Sequence, residues 1–115
     1  MKKQDLQNPV DAYFTGEFSK QRQPAPGVEQ QMTGRRALVT GGDSGIGRAV
    51  AVAFSREGAD VAINYLASEQ PDAETLRDDI EAHEGRIVLL PGDLSWEATC
   101  REVVRETVRQ LGGVD

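Results

Sequence analysis

Cysteine and aromatic residues are scarce in this 115-residue sequence. A single cysteine, Cys100, excludes a disulfide framework within the chain and fits a reducing compartment. Aromatic residues make up only 5% of the sequence, so we expect a core built mainly from aliphatic side chains and alanine.

Long apolar runs are also missing. The longest, "AVAVAF" at 49–54, is far shorter than the roughly 20 residues that a membrane-spanning helix needs. The N-terminal "MKKQDLQNP" has two lysines but no apolar stretch behind them, which argues against a secretory signal. The net charge of -6 argues against nucleic acid or an anionic membrane as partner, because both attract basic surfaces. No metal-ligand spacing is present, and we predict a cytoplasmic protein.

Residues 1–33 differ in composition from the rest of the chain. They hold six of the eight glutamines and three of the five prolines, without a helix or strand period. We predict an extended or disordered N-terminal arm here. Tyr13, Phe14 and Phe18 leave open the alternative that this arm docks on the body or on a neighbouring subunit, since disordered tails are usually poor in aromatics.

From Gly34 onward, apolar strand-like runs alternate with helical periods. The predicted strands are 36–40, 60–66 and 86–93. The predicted helices are one whose apolar stripe runs from Ile46 to Phe54 and which stops at Gly58, and two others at 72–85 and 96–111. This β-α-β-α-β-α order predicts a parallel sheet with right-handed crossovers. We therefore expect residues 34–115 to form the first half of a Rossmann-like doubly wound α/β domain, with strand order 3-2-1 and the first strand beside a fourth.

A glycine-rich loop, "TGGDSGIG" at 40–47, connects the first strand to the first helix. Gly41 would allow the tight turn, Gly45 would let backbone approach a phosphate, and Gly47 would let the helix pack close to the strand. The loop therefore predicts a pyrophosphate site at the helix N-terminus, although a purely structural turn remains an alternative. A P-loop is excluded, because Arg48 and Ala49 stand where its Lys and Ser/Thr are required.

These motifs resemble those of the short-chain dehydrogenase/reductase family. "TGGDSGIG" is similar to its Thr-Gly-x-x-x-Gly-Ile-Gly fingerprint, and "GDL" at 92–94 is similar to the segment with its adenine-contacting Asp. The resemblance runs from Arg35 to Asp115. It implies a cofactor-binding set comprising Thr40, Gly41, Asp43, Ser44, Gly45, Ile46, Gly47, Asn64, Asp93 and Leu94.

The end of the second strand bears on the choice of dinucleotide. An acid there usually binds a free ribose 2′-hydroxyl. Asn64 stands at this position, 23 residues after Gly41, and does not repel a 2′-phosphate. We therefore predict that NADP is preferred over NAD, and that Asn64→Asp shifts the preference toward NAD. Arg48 is either a phosphate contact or an ordinary helix arginine.

The resemblance implies hydride transfer between a nicotinamide and a carbonyl or alcohol carbon in a complete, homo-oligomeric family member. Its chemistry uses a Ser, a Tyr and a Lys four residues after that Tyr. Here Tyr13 is followed at that spacing by Glu17, and Tyr65 by Glu69. We predict that these 115 residues hold the cofactor half and no catalytic residue. The alternative is a non-catalytic nucleotide-binding or interaction remnant. In either case, a first strand without its neighbour would promote self-association.

Overall fold

The computed structural model describes residues 31–115, so nearly all of the predicted arm lies outside the described residues. Three strands alternate with three α-helices, and one short 3-10 helix, Ala67–Glu69, follows the second strand. The elements in chain order are β1 (Arg36–Thr40), α1 (Gly45–Arg56), β2 (Asp60–Tyr65), α2 (Gln70–Ala82), β3 (Ile87–Pro91) and α3 (Glu97–Leu111).

The three strands form one parallel sheet in the order β1-β2-β3, which confirms the predicted Rossmann-like arrangement. Thr40 is in register with Asn64, and Tyr65 with Pro91, so the carboxyl ends of all three strands meet at one edge. Within residues 31–115, β1 is a lateral edge of the sheet. Asp115 lies beside its first residue, since the Asp115 N–H donates to the Arg36 carbonyl at 2.8 Å.

Alternation along β2 divides the core into two layers. Val61, Ile63 and Tyr65 point to the side covered by α1 and α2, where Ala51, Ala73, Leu76 and Ile80 complete the larger cluster. Ala62 points to the other side and packs with Leu90, Val103 and Leu111 under α3. All four β2 residues that enter the clusters are at most 2% exposed, as expected for a parallel strand covered on both faces.

Two helix starts differ from the predicted ranges. α2 begins at Gln70 and not at Asp72, because the 3-10 helix leads directly into it and Pro71 occupies its first turn. α3 begins at Glu97 and not at Trp96, because Trp96 holds the cap position, and the Ser95 N–H before it donates to Asp93. Neither helix has a side-chain cap hydrogen bond. Competing local hydrogen bonds and the fixed φ of proline decided these boundaries.

Some apolar side chains of the helices are exposed. Ile46 in the first turn of α1 is 85% exposed, and Ala51 is the fully buried residue of this helix. On α3, Val104 and Val108 are about half exposed, while the sheet buries the narrower stripe of Val103, Thr107 and Leu111. None of the helices in residues 31–115 combines the length and apolarity that crossing a membrane requires.

Candidate functional site

The glycine loop lies against the end of β2. The Gly42 N–H donates to the Asn64 carbonyl at 3.1 Å. A Cβ atom at Gly42 would come within 2.5 Å of Ile63 Cγ2, so the absence of a side chain allows the loop backbone to rest on β2. The position of the loop is therefore fixed by the neighbouring strand as well as by its own turn.

Gly47 makes the tightest contact of the motif. A Cβ atom there would lie 2.1 Å from the Gly41 carbonyl oxygen and 2.7 Å from its carbon. The first turn of α1 thus packs directly on the loop backbone. The sequence predicted a close approach between helix and strand, and the structure places that approach one step earlier, at the loop.

The N-terminus of α1 is open toward this edge. Ser44 precedes the helix in an extended conformation, and its side chain makes no cap hydrogen bond. Gly41 and Gly45 both have positive φ, 64° and 57°, and a Cβ at Gly45 would meet nothing within 4 Å. Uncapped N–H groups and the partial positive charge of a helix N-terminus stabilise an anion. The geometry therefore suits a phosphate group.

Further candidate residues surround this opening. Thr40 and Ile46 are exposed at the ends of β1 and the loop. Asp93 is exposed after β3, where its Oδ1 accepts the Ser95 N–H at 2.9 Å, and this hydrogen bond lowers the pKa of Asp93. Leu94 is half-buried against the α3 side of the core. The sheet thus brings the predicted residues to one edge.

Asn64 reaches that edge but its side chain points toward β3. It is 3% exposed, and its Nδ2 donates to the Leu90 carbonyl at 3.0 Å and to the Gly92 carbonyl at 3.1 Å. Its own carbonyl accepts the hydrogen bond from the glycine loop. Asn64 therefore joins the ends of all three strands, and both its amide hydrogens are engaged within the protein.

Two carboxyl groups that the sequence did not single out as a pair, those of Asp43 and Glu69, interact with each other. Asp43, in the glycine loop, is 2% exposed. The Asp43 carboxyl, within hydrogen-bonding reach, raises the pKa of Glu69 at the end of the 3-10 helix. The Tyr65 hydroxyl donates to the Gln70 side chain, and burial raises the pKa of Tyr65. The acid-rich segment after β2 was the available signal, but sequence spacing did not show that it folds back onto the loop.

Arg48 points away from the loop to α2. Its guanidinium pairs with the Asp79 carboxylate at 3.0 Å. Both side chains are partly exposed, so the pair adds little stability. This contact favours the interpretation of Arg48 as an ordinary helix arginine.

Comparisons with known proteins agree on the kind of fold and site. A family model described as short chain dehydrogenase matches residues 35–115. The uncharacterised oxidoreductase YhxD of Bacillus subtilis is 49% identical over an alignment that covers 100% of this chain and 44% of that protein. The uncharacterised oxidoreductase YghA of Escherichia coli is 48% identical, with coverages of 96% and 43%. The chain therefore spans less than half the length of these relatives.

Solved structures give the same picture. A short-chain dehydrogenase from Burkholderia cenocepacia in complex with NADP matches with a TM-score of 0.70 and 38% identity, covering 74% of this chain and 34% of that one. A 7α-hydroxysteroid dehydrogenase complexed with NADH and 7-oxo glycochenodeoxycholic acid matches with a TM-score of 0.70 and 25% identity, covering 76% and 33%.

Proposed function

The chain belongs to the short-chain dehydrogenase family, and we propose that it forms the adenosine and pyrophosphate half of the cofactor site of an NAD(P)-dependent oxidoreductase. The observation that carries this proposal is the loop itself. Gly47 packs on Gly41 so closely that no Cβ fits, while the adjoining N-terminus of α1 is uncapped and open. Close packing at Gly47 together with open space at Gly45 suits a loop that binds phosphate.

The chain's own residues would hold the cofactor in distinct ways. The N–H groups of the first turn of α1, from Gly45 onward, would donate to the pyrophosphate. Asp93, whose pKa is lowered and whose carboxylate is exposed, would accept a hydrogen bond from the adenine amino group. Ile46, 85% exposed beside the loop, would supply an apolar contact. When bound, the nicotinamide supplies the hydride chemistry.

The catalytic partners of this site are part of the proposal. Within the 115 residues no tyrosine is followed four residues later by a lysine. Hydride transfer to or from a carbonyl or alcohol substrate is therefore proposed for the whole protein, with the present residues binding and orienting the adenosine end. Because the chain covers 44% of YhxD, there is room in a protein of that length for a catalytic half.

The sequence-based preference for NADP depended on the absence of an acid at Asn64. The structure changes the basis of that prediction, because the Asn64 amide is bonded to β3 carbonyls while Asp43 and Glu69 lie at the same edge. The proposed cofactor is therefore a nicotinamide dinucleotide, either NAD or NADP.

Calorimetric titration with NAD and NADP tests the site. Gly45 has positive φ and open space around it, and Asn and Asp both tolerate that conformation. Gly45→Asn and Gly45→Asp therefore form a matched pair that differs by one negative charge. We expect Gly45→Asp to weaken dinucleotide binding at least tenfold more than Gly45→Asn, because the carboxylate competes for the helix N-terminus. Failure of the folded chain to bind either dinucleotide, or equal binding by both variants, would refute the proposal.

A further inference from the structure

A single residue connects the segments that follow β1 and β3. Asn64, near the end of β2, is 3% exposed, and its backbone carbonyl accepts the Gly42 N–H of the glycine loop at 3.1 Å. Its Nδ2 donates to the Leu90 carbonyl at 3.0 Å and to the Gly92 carbonyl at 3.1 Å. In the proposed function these two segments bind different parts of one ligand, since the loop receives the pyrophosphate and the segment after β3 contacts adenine.

Gly92, the residue after β3, is held by β2 and by α3. Its N–H donates to the Tyr65 carbonyl at 2.8 Å, so two consecutive residues of β2 bind both of its backbone polar groups. A Cβ atom at Gly92 would lie 2.6 Å from Thr99 Cγ2, so α3 also packs closely against it. The orientation of the Gly92 peptide, and with it the position of the next residue, Asp93, therefore depends on the Asn64 amide.

The Asp93 carboxylate is fixed relative to its own backbone. Its Oδ1 accepts the Ser95 N–H at 2.9 Å, and this hydrogen bond lowers the pKa of Asp93, so the group is an ionised acceptor at neutral pH. A carboxylate accepts a hydrogen bond from the 6-amino group of adenine, whereas the 6-oxo group of hypoxanthine brings a second acceptor against it. Because the loop fixes the pyrophosphate, the contact with adenine requires that Gly92 place Asp93 at the matching distance.

We propose that Asn64 is a positioning residue for recognition of the adenine base. Its amide holds Gly92 so that the Asp93 carboxylate meets the 6-amino group of a purine bound through the glycine loop, and it thereby sets the discrimination between 6-aminopurine and 6-oxopurine dinucleotides. Asn64 acts through Asp93, because it is buried and both its amide hydrogens are bonded within the protein. The inference rests on the proposed dinucleotide function and deepens it, since it assigns selection of the base to a buried amide.

Truncation of the amide separates this role from that of the glycine loop. Asn64→Ala removes both donors and retains the backbone carbonyl that accepts the Gly42 N–H. NAD and nicotinamide hypoxanthine dinucleotide, which differ in the 6-amino or 6-oxo group, are titrated calorimetrically into each 115-residue protein, with circular dichroism to verify folding. Thr107→Ala is the control, since Thr107 is also buried and its Oγ1 donates to the Val103 carbonyl within α3.

The ratio of the two affinities is the quantity that reports positioning. We expect the parent chain to bind NAD tighter than the hypoxanthine dinucleotide by about tenfold or more, because two opposed acceptors replace a charge-assisted hydrogen bond. Asp93→Asn should remove this preference, because an amide also donates to a 6-oxo group. Asn64→Ala should reduce the preference to about threefold or less, as expected for one displaced hydrogen bond, and Thr107→Ala should leave it unchanged. Loss of stability alone weakens the binding of both dinucleotides by the same factor and does not change the ratio.

The outcomes distinguish this inference from the function on which it rests. An unchanged preference in Asn64→Ala would overturn the positioning role and leave the dinucleotide site intact, and so would equal binding of the two dinucleotides by the parent chain. If Asn64→Ala does not fold, Asn64→Ser decides, because its shorter side chain keeps one donor and cannot bind both carbonyls. An unchanged preference in Asn64→Ser then overturns the role. If neither dinucleotide binds to the folded parent chain, the proposed function fails together with this inference.

Discussion

Asn64→Asp is a sharp test of how the cofactor edge is built. On sequence grounds this change introduces the ribose-binding acid and shifts preference toward NAD. The structure predicts a different result, because the Asn64 side chain is 3% exposed and its Nδ2 donates to two backbone carbonyls, those of Leu90 and Gly92. A carboxylate in this place would face two acceptors and no new donor.

The expected loss is large for a domain of this size. Two hydrogen bonds, each worth about 1 kcal/mol, are removed. An uncompensated buried charge raises the total cost to about 3–5 kcal/mol. A typical domain is stable by only about 5–15 kcal/mol, so the variant should lose about a third or more of its stability and unfold at a much lower urea concentration. Because the Asn64 carbonyl also holds Gly42, weakened dinucleotide binding should accompany the loss of stability.

The sign of the pH dependence identifies the cause. Burial would raise the pKa of the new carboxyl above its unfolded value, so the folded state would bind more protons than the unfolded state and stability would fall as pH rises. Urea unfolding at pH 5 and pH 7 should therefore show Asn64→Asp partly recovering at the lower pH. Asn64→Ala is the control, since it removes the donors without adding charge and should be less sensitive to pH over this range. An Asn64→Asp protein that is as stable as the parent at pH 7 would refute this account of the edge.

Three further predictions follow from other contacts. Gly47→Ala should unfold at lower urea concentration and bind dinucleotide weakly, because the alanine Cβ would lie 2.1 Å from the Gly41 carbonyl oxygen. Alanine is the better helix former by about 1 kcal/mol, so a stabilised variant would contradict the packing argument. Asp115→Asn should lower the urea midpoint at pH 7, because Arg36 hydrogen-bonds Asp115 and lowers its pKa. This stabilisation is present above the pKa of Asp115 in the unfolded chain and is lost as pH falls through its pKa in the folded chain, so the urea midpoints of the parent and the variant should become equal on acidification. Equal midpoints at pH 7 would refute the role of the pair. The purified 115-residue chain should give no sustained change of NAD(P)H absorbance with a panel of aldehydes and alcohols, since it contains no Tyr-x-x-x-Lys sequence; turnover in the absence of full-length contaminant would contradict this.

The fold was predictable because its signals are local and repeated. Each strand is a short apolar run, and α2 and α3 each carry a buried stripe, as Ala73, Leu76 and Ile80 of α2 show. Alternation of such segments leaves few topologies once right-handed crossovers are required. Helix starts were less predictable, because the 3-10 helix Ala67–Glu69 leads directly into α2 at Gln70, two residues before the predicted start at Asp72.

The glycine motif was predictable in its position and only partly in its contacts. The positive φ of Gly41 agrees with the tight turn that the motif requires. The contact of Gly47 was not predictable from spacing, because a glycine in the motif indicates a close contact and does not identify the group that makes it. The structure identifies the Gly41 carbonyl as that neighbour.

The direction of the Asn64 side chain could not be predicted from the sequence. Neighbouring residues on a strand point to opposite faces, so an error of one residue in aligning β2 changes the face on which a functional side chain is placed. The buried run "VAINY" at 61–65 lacks the alternation of polar and apolar residues that would show which side chains point to which face of the sheet, because both faces are covered. The packing in the folded structure shows which face each side chain takes. Tyr65 lies with the α1 and α2 layer near Asp43, and the Asn64 side chain reaches the end of β3. A residue count along the chain can locate the end of the strand, but the choice between the two faces for the Asn64 side chain depends on contacts with β3, about 25 residues further along the chain.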